Sequence, residues 1–551
     1  MTKLPSLFDH YFWHTVVALV TFKLFLVSDI AVHIRFSPFD DSLYVGRAYA
    51  FLTGSSGWGG YDAYVLAKLP GMSYWLVTSR WLGIPYLLGI NILYCLAGLV
   101  LVQAAAKSGV KNTVLLFAYF VYLFNPITFG IGWALVMREA LSSVFTVALL
   151  GVSLQILSTS KQLLPWGWIL GWGLLFAFGL LLREEDRLLW AFFILFASVT
   201  LWARRDSVTR LIDRKFMLLL LSAPIVLSSL VNYGARSYNE YYYGAPILSD
   251  YSEGEFPKLM ASLRSIDSPV DNRLVMLPQD VIQRLRTLVP DFVPVLDRLP
   301  APGIQTYSCK LQGVCSEWSN GWMPWWVKMA SWESGLTPSF LAGQAYFKSI
   351  REQIEGLCRS NKLSCQTKGS GMIPPMELRW FRSYLHEFSS VLSMLIYPTV
   401  DTVAMDAQPV NASKRLVEQY QYVTMTSVTE NPPLDNNFSF GTVQAKWRNI
   451  LSFADAFLIG TALIFGSFAI VWRWVMYPGV ALTSLYQLCV VFWIYSLIRS
   501  LALAYVAVFI GPFEPRIIFS TYTGLGILGI LVIWDSIQTH KKFQFIRYRN
   551  A

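Results

Sequence analysis

Asp40 and Asp41 stand side by side just after a first apolar run, residues 11–32, and Lys68 follows within Lys68-Leu69-Pro70-Gly71. Carboxylates and an ammonium at the mouth of an apolar span suit chemistry on an anionic substrate. One carboxylate can take a proton while cations stabilise a departing anion. An acidic pair beside an apolar helix is also a common solvated loop, so its companions decide. They are Arg138 with Glu139, the run Arg183-Glu184-Glu185-Asp186-Arg187, and Glu514-Pro515-Arg516, each at the end of an apolar run. Arg499 differs: it lies inside such a run, where a charge needs a cavity or a partner, and a lipid phosphate or Asp455 could satisfy it.

The elements that must position these groups are membrane helices. Of 551 residues 54% are hydrophobic, 15% aromatic and only 14% charged, and the mean hydropathy is +0.45. Ten apolar runs are long enough to read as spans: 11–32, 84–106, 112–131, 138–157, 164–182, 188–203, 216–234, 450–471, 478–510 and 515–534. The first is too long for a signal-peptide core and no small-residue cleavage site follows it, so it is expected to be retained. With the N-terminus inside, Lys107, Lys111, Lys161, Arg204, Arg473 and the tail residues Lys541 and Lys542 all fall on the cytoplasmic side. The expectation is a multi-pass cell (inner) membrane protein with both termini cytoplasmic. The net charge of +10 then reflects topology and anionic lipid, not nucleic acid. In that orientation Asp40, Asp41, Lys68, Arg138, Arg183 and Arg516 share the outer face. Structural ion pairing explains acid beside base there about as readily as catalysis does.

Residues 237–448 have a soluble composition and divide the chain into an N-terminal membrane module (1–236), an inserted extracytoplasmic domain and a C-terminal membrane module (449–551). Helical patterns cover 256–265, 279–288, 342–358 and 379–395. Cys309, Cys315, Cys358 and Cys365 form two closely spaced pairs, which indicates two short-loop disulfides in an oxidising compartment. A four-thiolate zinc site needs tighter spacing. Cys95 and Cys489 sit in apolar runs as small hydrophobes. Asn411-Ala412-Ser413 and Asn437-Phe438-Ser439 match the glycosylation acceptor triplet. His10, His14 and His33 are too scattered for a metal site. The aromatic stretch Trp318 to Trp326 suits stacking on sugar rings, dipping into the interface, or core packing.

The first outer loop reads as a surface helix over Tyr44 to Leu52, after Asp41, then the glycine-rich turn Gly57-Trp58-Gly59-Gly60-Tyr61-Asp62, and a second surface helix over Lys68 to Gly83. This order, with Asn125-Pro126, Arg138-Glu139-Ala140-Leu141, Leu182-Arg183-Glu184-Glu185 and Glu514-Pro515-Arg516, resembles the GT-C superfamily of membrane glycosyltransferases. That group contains the protein O-mannosyltransferases and the aminoarabinose transferases of lipid A. Residues 10–235 carry most of the resemblance. Two features depart from it: Pro70 stands alone where such enzymes commonly carry two prolines, and Trp325-Trp326-Val327-Lys328 is no Trp-Trp-Asp-Tyr-Gly string, which argues against en bloc transfer to asparagine.

The resemblance implies an all-α membrane bundle with an inserted, mainly helical domain. It further implies inverting transfer of a sugar from a polyprenyl-phosphate donor to a hydroxyl on a lipid, protein or polysaccharide acceptor. Asp40 or Asp41 would be the base, with Lys68, Arg138, Arg183, Arg499 and Arg516 on the donor phosphate and Asp62, Glu139, Glu184, Glu185 and Glu514 as supporting acids. It leaves open whether a divalent cation, Mg²⁺ or Mn²⁺, takes part. Two other classes stand beside this one: a transporter or lipid flippase, and a non-enzymatic cell-envelope scaffold.

Overall fold

A computed structural model describes residues 7–34, 40–159, 165–204, 211–271, 273–300, 314–366, 373, 376–396, 413–429, 443–477, 482–511 and 515–550. The apolar runs become helices because a backbone in hydrocarbon can satisfy its polar groups only internally. In chain order these and the surface helices are α1 (Leu7–Val27), α2 (Asp40–Leu52), α3 (Gly71–Trp81), α4 (Tyr86–Lys107), α5 (Asn112–Leu123), α6 (Ile131–Ala134), α7 (Arg138–Ser158), α8 (Trp166–Gly179), α9 (Leu189–Ala203) and α10 (Leu211–Tyr243). The middle segment supplies α11 (Glu255–Arg264), α12 (Gln279–Leu288), α13 (Val293–Leu296), α14 (Met323–Glu333), α15 (Phe340–Arg359), α16 (Phe381–Ile396) and α17 (Lys414–Thr424). The chain then runs through α18 (Val443–Met476), α19 (Ser484–Ile510) and α20 (Phe519–Asn550).

Among the described residues six helices are long and apolar enough to cross a membrane: Tyr86–Lys107, Arg138–Ser158, Arg214–Tyr243, Val443–Met476, Ser484–Ile510 and Arg516–Phe545. The four other expected spans form shorter apolar helices, Tyr11–Val27, Asn112–Leu123, Trp166–Gly179 and Leu189–Ala203. The chain is a polytopic, all-α membrane protein. Among the described residues, strand is confined to two short pairings, Val32–His33 with Val428–Thr429 and Val275–Leu277 with Trp318–Ser319.

Helix α7 is central, packed between α4 and α8 and against α20, so the two apolar parts of the chain share one core. The middle segment has two fates. Phe256, Leu277, Leu285, Phe292, Val327 and Ile354 belong to a separate apolar core. By contrast Val391 and Leu395 of α16 and Tyr420 and Val423 of α17 are buried in the bundle's core, with α16 along α19 and α17 against α2 and α3. The helices expected at 256–265, 279–288, 342–358 and 379–395 are α11, α12, α15 and α16.

Cys358 and Cys365 form a disulfide with an S–S length of 2.02 Å and Cα atoms 5.6 Å apart. Cys315 is also disulfide-bonded. Cys309 and the triplet asparagines Asn411 and Asn437 lie outside the described residues. Cys95 and Cys489 are buried free thiols, as their apolar surroundings predict.

Candidate functional site

The loop between α2 and α3 is built to hold Lys68 in one place. Asp62 accepts hydrogen bonds from the backbone N–H groups of Tyr64 and Val65, both at 2.7 Å, which closes a side-chain-capped turn. Asp62 thereby fixes the turn, and its charge also acts on Arg47. Arg47, buried on α2, donates from Nη1 to the carbonyl of Lys68 at 2.8 Å and from Nη2 to that of Tyr64 at 3.2 Å. Pro70 precedes α3, and the Gly71 N–H donates to the carbonyl of Leu181 at 3.0 Å. A Cβ on Gly71 would lie 2.5 Å from that oxygen, so only glycine lets α3 dock against the chain just before Arg183. Gly57 is the other constrained glycine, with φ +59° and Tyr242 2.9 Å from the place of a Cβ.

Around Lys68 the expected clusters meet. Its ammonium lies 3.1 Å from Asp40, which opens α2, and Arg138 at the start of α7 lies 3.9 Å from the same carboxylate oxygen. Arg138 also pairs with Glu184 at 2.5 Å, and Arg183 pairs with Glu185. Arg516 lies 3.6 Å from Glu139. Burial disfavours ionisation of Asp40, but the charges of Lys68, Arg138 and Arg516 outweigh it and hold the carboxyl below the usual carboxylate range. Glu185 is held low in the same way, by Arg183, Arg138 and Arg499 against burial.

Asp41 belongs to a different neighbourhood. Successive helical residues point about 100° apart. Asp41 is fully buried between Tyr86 and Tyr420, while Asp40 faces the cations.

Arg499 is 2% exposed. It donates to Ser520, to the Thr521 hydroxyl at 3.3 Å and to the Ile517 carbonyl at 3.3 Å, all on the segment that begins with Arg516. Asp455 is not its partner; that carboxylate is buried near Lys23, Tyr94 and Tyr522 instead. Lys23 itself is fully buried, 2.5 Å from the Thr128 hydroxyl and 3.6 Å from the centre of the Phe129 ring. Glu514 lies outside the described residues.

Lys68, Arg138, Arg183, Arg499 and Arg516 thus come together with Asp40, Glu139, Glu184 and Glu185, drawn from six separate places along the chain. Among the described residues no group of three or more His, Cys, Asp or Glu side chains could hold a metal ion. The described carboxylates of the array pair with arginine or lysine. Sequence reasoning missed Arg47, whose signal was weak: a lone arginine in an otherwise apolar stretch of a surface helix, Tyr44-Val45-Gly46-Arg47-Ala48-Tyr49.

One turn inward from Arg138 lies a small cavity of about 10 Å³, lined by Ser142, Phe145, Leu149, Leu175, Leu182 and Leu189 with Thr146 and Gly179. The opposite end of α7 is basic: Lys107 donates to Gln155 at 2.7 Å.

No family model and no curated protein matches this chain. Two solved structures are similar. The apo oligosaccharyltransferase of Archaeoglobus fulgidus is 11% identical, with a TM-score of 0.41, and the likeness covers 98% of this chain and 52% of that one. ArnT from Cupriavidus metallidurans, bound to undecaprenyl phosphate, is 12% identical, with a TM-score of 0.29, over 97% of this chain and 78% of that one. The chain therefore spans about half the length of the archaeal protein. Likeness at this level carries no functional weight, which falls on the side chains.

Proposed function

We propose that the chain is a membrane glycosyltransferase that moves a sugar from a polyprenyl-phosphate donor to an acceptor hydroxyl on the extracytoplasmic side. The observation that carries this reading is Asp40, held between Lys68 and Arg138 among five cations. The cations suit a lipid phosphate. Lys107 at the other end of α7, with the basic tail, supports placing the array outside the cytoplasm.

The acceptor oxygen attacks the anomeric carbon as Asp40 takes its proton. The bond from that carbon to the phosphate oxygen breaks, the electron pair leaves with the polyprenyl phosphate, and the cations hold the new charge. In the resting site Asp40 is a weak base because Lys68 and Arg138 stabilise its ionised form. Donor phosphate competes for the same cations and adds negative charge, which raises the basicity of Asp40 when substrate is present. Asp41, enclosed by tyrosines, supports the fold of α2.

The test uses purified protein in lipid nanodiscs with a panel of radiolabelled polyprenyl-phosphate sugars and envelope extracts as acceptor. Label should move to acceptor with wild type and not with Asp40→Asn. Equal transfer by both removes the proposed base. A second reading, transport, is favoured by Lys23 and Asp455, two ionisable side chains buried in membrane helices. Flux of the donor across sealed vesicles without any transfer of label would select it.

A further inference from the structure

The array is bordered on one side by the middle segment of the chain. The indole of Trp325, near the start of α14, has its ring centre 5.0 Å from the Lys68 ammonium. Tyr64 and Tyr251 brace that indole at 5.1 Å and 4.8 Å, tilted by 54° and 41°, and the Tyr64 hydroxyl donates to the Trp325 carbonyl at 3.1 Å. The indole is only half-buried. Its position is fixed from behind: Lys328, three residues further along α14, forms a buried ion pair with Asp250. The Asp250 N–H donates to the Leu66 carbonyl at 3.0 Å, and the Ser249 hydroxyl to the Ala67 carbonyl at 2.9 Å. Helix α14 is thereby clamped to the same loop that carries Lys68. A buried ion pair is a poor source of net stability and a good device for fixing register.

We propose that Trp325 is the platform on which the donor's sugar ring stacks, and that it makes the enzyme selective for sugar-bearing over sugar-free polyprenyl phosphate. This rests on the transferase reading above. The indole face is electronegative, and a pyranose presents a face of C–H groups that complements it. A phosphate engaged by Lys68 places the anomeric carbon one ester linkage away, so the ring it carries falls within reach of the indole. The same lipid phosphate without a sugar engages the cations and leaves the indole untouched. Lys328 and Asp250 are positioning residues for this platform.

Binding of four probes to the full-length protein in nanodiscs tests the proposal without needing turnover: undecaprenyl phosphate, and the same lipid carrying glucose, mannose or 4-amino-arabinose. Wild type is expected to bind at least one sugar-bearing lipid about tenfold more tightly than the sugar-free one, a difference of about 1.4 kcal/mol. Trp325→Ala should abolish that preference while leaving undecaprenyl phosphate binding within about twofold, and Trp325→Phe should restore part of it where Trp325→Leu does not. Equal affinity of wild type for all four lipids overturns the platform. So does a parallel loss of every lipid in Trp325→Ala, which would mean that the indole merely covers Lys68. Lys68→Ala should weaken all four lipids alike. If it leaves all four unchanged, the donor site itself is wrong, and that failure is distinguishable from failure of the platform.

Discussion

Two groups of buried charges occupy opposite ends of the bundle, and they are built differently. At the end opposite Arg138, Arg473 of α18 pairs with Asp535 of α20, the Thr483 hydroxyl donates to the same carboxylate at 2.9 Å, and Tyr486 covers the guanidinium at 4.4 Å. The location follows from Ser484, which donates to the carbonyl of Leu157 at the end of α7. There the cation and the anion are joined directly. At the Arg138 end, among the described residues, Arg138 serves two acids at once, and Arg499 is satisfied by hydroxyls and a carbonyl. A direct pair locks helices together. A cation shared between two acids, or held by neutral groups, can exchange a partner for an anion from outside the chain.

The sharpest way to break this comparison is to remove one carboxylate at a time. Asp40→Asn is expected to slow transfer by roughly 10²–10⁴-fold, whereas Asp41→Asn should lower the yield of folded protein and keep transfer by the folded fraction within about tenfold. Equal rate losses in the two variants would erase the distinction between them. Next in size, Asp535→Asn leaves Arg473 buried without its anion and should cost about 3–5 kcal/mol of stability. Thermal unfolding in detergent measures that cost, and turnover per folded molecule should be unchanged.

Arg499→Gln should sharpen the comparison from the cationic side. Loss of a charge-assisted contact to phosphate costs about 1.5–3 kcal/mol, so the donor KM should rise about tenfold to a hundredfold at nearly constant thermal stability. A large drop in melting temperature with unchanged KM would make Arg499 a structural residue like Arg473.

The smallest effect concerns pH. Because the folded pKa of Asp40 is depressed, its pairing contributes stability above the ordinary carboxylate pKa and loses it only as pH falls through the lower folded value. In the lipid-free protein Asp40 should therefore stay ionised from about pH 5 upward. A titration of Asp40 near neutral pH in the lipid-free protein, followed by carboxylate spectroscopy with Asp40→Asn as control, would contradict the ion-paired state.

How far the sequence reveals this molecule depends on whether a feature is local. Membrane helices follow from runs of apolar side chains, and α11, α12, α15 and α16 from 3.6-residue periodicity, so both classes were legible. The meeting of Asp40, Lys68, Arg138, Arg183 and Arg516 was legible because the termini of successive spans return to the same face. The approach of Trp325 to Lys68 was not, since it depends on how two distant segments dock. The burial of Val391, Leu395, Tyr420 and Val423 in the bundle was hidden too, because an amphipathic helix does not say which core its apolar stripe will join. Asp62 was readable in principle: an aspartate two residues before a backbone N–H, after a glycine-rich turn, is a capping pattern as much as an acidic site.

The most direct test of the central claim is an experimental structure of the protein with undecaprenyl phosphate. The phosphate is expected within ion-pairing distance of at least two of Lys68, Arg138, Arg183, Arg499 and Arg516, with the Asp40–Lys68 contact lengthened from 3.1 Å. Lipid phosphate bound elsewhere, with the Asp40 array closed as it is here, would contradict the claim.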